Sequence, residues 1–231
     1  IYIGRMLVPP CAGVRLLYKY VFMRKIIFSL LLMALLPSMS IAQEAVSRVF
    51  ISMPDSILPY LDASQRQELA DDIAQKEKPI VVNSLGDTTR IDNISTDYMK
   101  LYCNKAHTIE MKILPRVQEK DSIICLVNTY NGPAEESDIT FFDMAWQKLN
   151  QNLTPSVKPQ QLLAKPDTLS DEDYSSLAEL LDPTLIKINL SPKSRTVTYQ
   201  LSIPAVPNDK KKLLEALLSQ MNFNWDGERF N

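Results

Sequence analysis

Three strand-length segments between Thr96 and Tyr130 constrain the fold more than any other part of the chain. Each is rich in residues typical of β-strands, and short polar breaks with turn chemistry separate one from the next. Strands joined by such short turns predict an antiparallel meander. The three segments are Thr96–Cys103, Thr108–Leu114 and Asp121–Tyr130.

The second and third segments differ in their apolar patterns. Ile109, Met111 and Ile113 alternate with Glu110 and Lys112, so we expect a strand with one buried face and one wet face. Residues 122–130 are more uniformly apolar, which indicates a strand covered on both faces.

Further elements are expected on both sides of the meander. Those before it are a short strand over Arg48–Met53, a helix over Ser64–Ala74 capped by Asp62 or Ser64, and strands over 80–82 and 90–95. Those after it are a helix over Ile139–Leu149 capped by Asp138, a helix from Ser170 to Leu181, a hairpin over 185–203, a helix with an apolar stripe from Leu213 to Met221 capped by Asn208 or Asp209, and an edge strand over 223–230.

These elements predict an α+β fold, in which an antiparallel sheet of meander and hairpins packs against amphipathic helices. We expect one α+β half over residues 43–150, a proline-containing linker over 151–169, and a second α+β half over 170–231. The two halves can also form one domain. Both place a helix, a hairpin, a polar hinge and an amphipathic helix in the same order, so a duplicated unit is a further hypothesis.

The N-terminal residues carry the pattern of a secretory signal peptide over Met23–Ala42. Arg24 and Lys25 form its basic start, an apolar run follows, and Ser40 and Ala42 give the small-residue cleavage pattern. The apolar run is shorter than the ~20 residues that a membrane-spanning helix needs. We therefore expect residues 1–42 to be upstream sequence and signal peptide, and the protein to be exported without a transmembrane segment.

Removal of residues 1–42 changes the charge balance of the chain. Five of the 25 basic residues and none of the 27 acidic residues lie there, so the exported chain carries a net charge of −7. A protein that binds nucleic acid needs a basic face that neutralises phosphates. We therefore expect no nucleic-acid partner.

Two cysteines, Cys103 and Cys125, remain in the exported chain, and export permits a disulfide between them. In the predicted meander a whole strand separates the two, which is roughly 9–10 Å plus a register offset. A disulfide needs Cα atoms within about 7 Å of each other. We expect two free thiols, with Cys125 acting as a small buried hydrophobic residue.

The single histidine, His107, limits the chemistry that the chain can carry out. It falls in the predicted turn between the first two meander strands, where we expect an exposed residue. One histidine cannot build a two-histidine zinc site, and a Cys–His pair would have to join His107 to Cys103, four residues away. No glycine cluster is present to bind phosphates. The sequence names no catalytic residue and predicts no cofactor or metal.

Three stretches, Met53–Leu61, Asp97–Met99 and Asp138–Trp146, connect the chain to known sequences. With them, the chain as a whole resembles a family of uncharacterised exported proteins of Bacteroidales. The family has no established activity, so no functional residue can be carried over. The resemblance implies a location in the periplasm or on the surface of a Gram-negative bacterium.

Two functional hypotheses follow from the sequence. The first is a non-catalytic binding or interaction protein of the cell envelope, which contacts a protein or glycan partner through exposed sheet faces or edges. The second is a carboxylate-dependent hydrolase that acts on glycan or peptidoglycan. A deep cleft with two carboxylates roughly 5–10 Å apart would favour the hydrolase.

Overall fold

The computed structural model describes residues 39–118 and 121–231, and its largest element is a six-stranded antiparallel sheet. Every strand pairs with its neighbour in the sequence, so the predicted three-stranded meander is confirmed and extended to six strands. The strands are β1 Ile80–Val82, β2 Thr88–Ile94, β3 Tyr98–Asn104, β4 His107–Pro115, β5 Ser122–Asn131 and β6 Glu135–Asp143.

Within the described residues, a second, three-stranded antiparallel sheet and four helices accompany the central sheet, which gives the α+β fold that the sequence predicts. The strands are β7 Leu185–Leu190, β8 Thr196–Ser202 and β9 Gln220–Asn224. The helices are α1 Met39–Ile51, α2 Ala63–Gln75, α3 Asp171–Glu179 and α4 Asn208–Leu217, with a short 3-10 helix over Pro159–Leu162. Residues 41–231 form one compact unit.

The six-stranded sheet buries side chains on both faces, in two separate cores. The helix-side core lies under α1 and α2 and contains Val46, Phe50, Leu69, Met99, Leu101, Cys103, Ile109, Met111, Leu126, Phe142 and Trp146. The sheet-side core lies under the second sheet, α3 and α4, and contains Leu114, Cys125, Val127, Phe141, Leu177, Leu181, Ile188, Val197, Leu214, Leu217 and Phe230. Successive residues of a strand point to opposite faces, so β5 contributes to both cores.

Residues Arg48–Met53, which we expected to form a short strand, are helical as far as Ile51. The reason is visible in the wider spacing of buried residues: Val46, Val49, Phe50 and Met53 lie at helical intervals along one face. The strand prediction began at Arg48 and missed the first member of this series.

The predicted helix over Ile139–Leu149 is wrong, because these residues begin inside β6. That strand pairs with β5 along its whole length, and its adjacent Phe141 and Phe142 enter opposite cores. A turn at Asp143 then folds Trp146 back onto Phe142, and the indole N–H donates to the Val49 carbonyl oxygen at 3.1 Å. With a strand here, the shared order of elements behind the duplication hypothesis is lost.

The predicted helix caps are confirmed for two helices and wrong for a third. The Asp62 carboxylate accepts from the Gln65 backbone N–H at 2.9 Å, and the Ser170 hydroxyl accepts from that of Asp173 at 3.0 Å. Asn208 is instead the first residue of α4, which has no side-chain cap. Met221, expected on the apolar stripe of that helix, lies in β9.

Glu110 of β4, expected on a wet face, is only 5 % exposed. The second sheet covers it, and the end of β7 supplies its partner. The carboxylate accepts the Leu190 backbone N–H at 2.6 Å and the Lys100 ammonium at 3.0 Å. Burial, together with the Glu110 carboxylate, raises the pKa of the neighbouring Tyr98 hydroxyl.

Lys112, two residues further along β4, is 1 % exposed and also connects the six-stranded sheet to the second sheet. Its ammonium donates to the Ser191 carbonyl oxygen at 2.8 Å and lies 3.3 Å from the Asp97 carboxylate. Burial lowers the pKa of Lys112, and the nearby carboxylate of Asp97 opposes that shift. Glu110 and Lys112 therefore connect the central strand to the end of β7 through its backbone.

Removal of the Glu110 carboxylate tests this connection. We expect Glu110→Ala to lower the free energy of unfolding by about 3 kcal/mol, because the buried Leu190 N–H loses its acceptor. Glu110→Gln keeps an acceptor oxygen and is expected to lose about half as much. Urea unfolding measures both, and Glu136→Ala on the exposed part of β6 is the control. If Glu110→Ala lowers the free energy of unfolding by less than about 1 kcal/mol, Glu110 does not make a stabilising connection to β7.

Candidate functional site

The two cysteines of the described chain are free, fully buried and on opposite faces of the central sheet. Cys103 lies in the helix-side core and Cys125 in the sheet-side core, with β4 between their strands. The prediction of free thiols is confirmed. Burial raises the pKa of Cys103 to about 12 and that of Cys125 further. Both thiols are therefore protonated and are not nucleophiles in this conformation.

His107 is the first residue of β4 and is half-buried, so the prediction of an exposed turn residue is wrong. Its ring stacks on that of Tyr130, with centroids 5.1 Å apart and planes at 8°. The Tyr60 hydroxyl hydrogen-bonds to Nδ1, and Nε2 lies 3.1 Å from the Asn128 side-chain oxygen. Tyr60 comes from the segment between α1 and α2, which folds over this end of the sheet.

The hydrogen-bond directions at His107 follow from Asn128. The Asn128 amide nitrogen donates to the Asp138 carboxylate at 3.3 Å, so its oxygen is left to accept from Nε2 of the histidine. Nδ1 then accepts from the Tyr60 hydroxyl. The imidazole is thus neutral, in agreement with the lowered pKa of His107, whose main cause is burial.

Cys103 and His107, the pair that the sequence left as a catalytic alternative, are brought close but separated by a third side chain. The Tyr60 hydroxyl contacts both the thiol and the imidazole. Because the thiol is buried and protonated, we interpret these contacts as structural. Through the Tyr60 hydroxyl they hold the segment before α2 against the sheet. Across residues 45–118 and 121–231, no group of three or more His, Cys, Asp or Glu side chains is placed to hold a metal ion.

An uncovered part of the central sheet is the candidate interaction surface. The second-sheet side of the molecule covers β4–β6 and the start of β3, where Tyr98 is buried, and leaves the same face of β1, β2 and residues 100–102 of β3 open to solvent. We call this surface the open face; it consists of Ile80, Val82, Arg90, Lys100 and Tyr102. Ile80 is 44 % exposed and Val82 is 64 % exposed.

Arg90 and Tyr102 form the centre of the open face. They are register partners on β2 and β3, and the guanidinium carbon lies 3.8 Å above the tyrosine ring centroid. Arg90 Nε also lies 2.6 Å from an Asp92 carboxylate oxygen. Cation–π contact and ion pairing together hold the guanidinium in one position on the sheet.

The β1–β2 turn adds a third exposed apolar residue, Leu85, which is 64 % exposed. The buried Asn83 fixes this turn: its side-chain oxygen accepts the Leu85 backbone N–H at 2.9 Å, and its amide donates to Thr89 at 3.0 Å. Gly86 follows with φ at +80°, a conformation that favours glycine. Leu85 is therefore held outward by a rigid turn beside the open face.

The outer edge of β1 is partly capped by the chain itself. The Gln65 side chain donates to the Val82 carbonyl oxygen at 2.6 Å, and the Ser84 N–H donates to the Tyr60 carbonyl oxygen at 3.0 Å. These contacts occupy positions that an added strand would need. The accessible part of this region is therefore its face.

Sequence patterns gave no signal for the open face. Ile80–Val82 reads as an ordinary strand, and Arg90 and Tyr102 read as residues of alternating strands. Which strands remain uncovered depends on where the second sheet packs, and that packing joins residues far apart in the sequence. Only the tertiary structure identifies these residues as a surface.

Comparisons with known proteins identify a family and a similar fold, but they assign no activity to the chain. Residues 38–230 match the model of a family described as "Protein of unknown function (DUF3256)". A solved domain of an uncharacterised protein from Porphyromonas gingivalis W83, a member of Bacteroidales, is similar with a TM-score of 0.63 and 20 % identity. The similarity covers 81 % of this chain and 96 % of that one. No curated protein matches the chain.

The buried positions of the thiols predict slow chemical modification. In the protein without residues 1–42, we expect Cys103 and Cys125 to react with an aromatic disulfide reagent at least about 10³-fold more slowly in buffer than in denaturant. A Ser56→Cys variant, with its thiol at an exposed position, is the control and should react at once. Rapid reaction of either native thiol would contradict its burial.

The environment of His107 predicts how stability changes with pH. Because burial lowers its pKa, the unfolded chain binds the proton first as the pH falls through about 6.5, and the free energy of unfolding decreases. Between pH 7.5 and 5, we expect the free energy of unfolding to decrease more steeply in the wild type than in His107→Gln. NMR titration of the single imidazole measures the pKa directly, and a value at or above about 6.5 would contradict the geometry.

Proposed function

Because the chain belongs to the DUF3256 family, whose function is unknown, we propose a function from the geometry: a non-catalytic binding protein that docks a protein partner on the open face. The observation that carries this proposal is the Arg90–Tyr102 pair, held at the centre of an uncovered sheet surface beside exposed Ile80, Val82 and Leu85.

The composition of this surface supports a protein partner. Arginine and tyrosine are enriched among the residues that dominate protein–protein binding energy, and they act best when surrounded by side chains that exclude water. Along one side of the Arg90–Tyr102 pair, water can be excluded by Ile80, Val82 and Leu85. The fixed positions of Arg90 and Leu85 lower the conformational entropy lost on binding.

The proposed contact is face packing. Of the two modes expected from the sequence, strand addition at β1 is disfavoured by the hydrogen bonds from Gln65 and to Tyr60. A partner that packs flat on β1–β3 leaves these hydrogen bonds intact. It also extends the arrangement already present over β4–β6, where the second sheet covers the same face.

The proposed location is the periplasm or the cell surface. Support comes from the signal-peptide pattern over Met23–Ala42, which falls almost entirely on residues outside the described ranges. Among the helices that the structure does describe, none is both long and apolar enough to cross a membrane. The partner proposed is therefore a protein of the cell envelope.

Hydrolysis by paired carboxylates has less support. A cleft at one end of the molecule is lined by a single carboxylate, that of Glu228, among the described residues. The hydrolytic hypothesis needs two carboxylates that face each other across a substrate. The binding proposal is therefore preferred.

Charge reversal on the open face tests the proposal. The tagged full-length protein is expressed in its source organism, and envelope proteins are crosslinked to it and quantified by mass spectrometry. We expect one dominant partner, whose yield falls at least about 10-fold in Arg90→Glu and in Val82→Asp, which correspond to losses of about 1.4 kcal/mol or more in binding. The control is Thr198→Lys on the outer face of the second sheet.

The variants must stay folded for this comparison to have meaning. All three positions are partly or largely exposed, so their melting temperatures should match that of the wild type within about 3 °C. Equal partner yields in the wild type and in both open-face variants would overturn the proposal. The same holds if Thr198→Lys reduces the yield as strongly as they do.

A further inference from the structure

A cleft of about 330 Å³ lies where three segments distant in sequence meet: the end of β4, the loop after β6 and the C-terminal turn. Its polar lining consists of Arg116, Gln118, Gln151, Asn152, Glu228 and Arg229. It lies far from the open face, because Tyr102 pairs with the start of β4 and the cleft adjoins its end. Neither the family nor the structural comparison assigns it a role.

Main-chain contacts hold the three walls of the cleft in place. The Val117 N–H donates to the Gly227 carbonyl oxygen at 3.2 Å, and the Phe230 N–H donates to the Leu153 carbonyl oxygen at 2.8 Å. The Trp225 indole N–H donates to the Pro115 carbonyl oxygen at 2.7 Å. The cleft is therefore preformed and does not depend on a ligand to assemble.

Gly227 allows the closest of these approaches. Its φ is +105°, and a Cβ at this position would lie 2.3 Å from Cγ2 of Val117. A side chain at position 227 would therefore require Val117 to move. The following turn is fixed by Asp226, whose carboxylate accepts the backbone N–H groups of Glu228 and Arg229 at 2.8 Å each. This turn presents both side chains to the cleft.

The donors in the cleft suit an anion. The Arg229 side chain makes no hydrogen bond among the residues that the structure describes, although the Asp226 carboxylate is near enough to interact with its charge. Arg116 lies 4.0 Å from the Asp121 carboxylate. Guanidinium groups bind carboxylates through two parallel hydrogen bonds. Asn152 uses its side-chain oxygen to accept from Thr154, which leaves its amide hydrogens available to a ligand.

The residues that line the cleft are mostly polar, which favours a polar ligand. Leu153 is the one large apolar residue lining the cleft in the described ranges, and it is only 8 % exposed. Pockets for peptide side chains or drug-like molecules are mainly apolar, with a few polar groups. Two guanidinium groups, amides and one carboxylate fit a ligand that carries a negative charge and several hydroxyl groups.

We propose that this cleft binds an acidic sugar, a hexuronate unit of a glycan. Arg229 binds the sugar carboxylate, and the amides of Gln151 and Asn152 donate to ring hydroxyls. The Glu228 carboxylate already accepts from the Gln118 side-chain amide and keeps lone pairs that can accept from a sugar hydroxyl, a contact that sulfate or chloride cannot provide. The proposal does not depend on the open face.

Titration of the purified chain with sodium D-glucuronate and D-galacturonate tests the proposal. We expect saturable chemical-shift changes, measured by NMR, for the backbone amides of the cleft, with a Kd on the order of 1 mM as is usual for a single small ligand with few contacts. Arg229→Gln should weaken binding at least about 10-fold, because the bidentate contact is lost.

Arg90→Gln is the matched control: it removes the same charge on the open face and should leave sugar binding unchanged. D-Glucose tests the need for the carboxylate, and acetate tests the need for the sugar. Binding of acetate as tightly as glucuronate would overturn the proposal, as would equal weakening by Arg90→Gln and Arg229→Gln. Absence of saturation by both uronates up to about 50 mM would also overturn it.

Discussion

Two buried charges on β4, those of Glu110 and Lys112, join the layers of this protein. Burying an ionised group is costly unless partners replace its hydration, and here the backbone at the end of β7 supplies several of them. No buried side-chain nitrogen or oxygen in residues 45–118 and 121–231 lacks a partner. The Glu110 carboxylate accepts from the Leu190 N–H and the Lys112 ammonium donates to the Ser191 carbonyl oxygen, so these two contacts favour the observed position of the second sheet on the central one. That position leaves β1, β2 and residues 100–102 of β3 uncovered on this face.

The sequence predicted local features well and long-range ones poorly, for a physical reason. The meander and the caps Asp62 and Ser170 depend on neighbouring residues, and all were recognised. Glu110 was expected in water and β6 was expected to be a helix. Both errors arise because burial by a distant segment overrides local pattern and propensity.

The candidate sites show the same division. The free thiols could be predicted because strand spacing alone separates Cys103 from Cys125. The environment of His107 could not, since Tyr60 reaches it from a segment 47 residues earlier. Reactive groups thus lie inside this protein, and the surfaces available to partners carry arginine, amide and aliphatic side chains.

Cys103 and Cys125 also give the protein two internal reporters of folding order. Each thiol lies in a different core, and the central sheet separates them. A thiol becomes reactive only when the core around it opens, so the two labelling rates record two separate openings. Equal labelling rates would mean that the helices and the second sheet detach from the six-stranded sheet in one cooperative step. Unequal rates would reveal a partly unfolded form in which one layer has detached while the other still protects its cysteine.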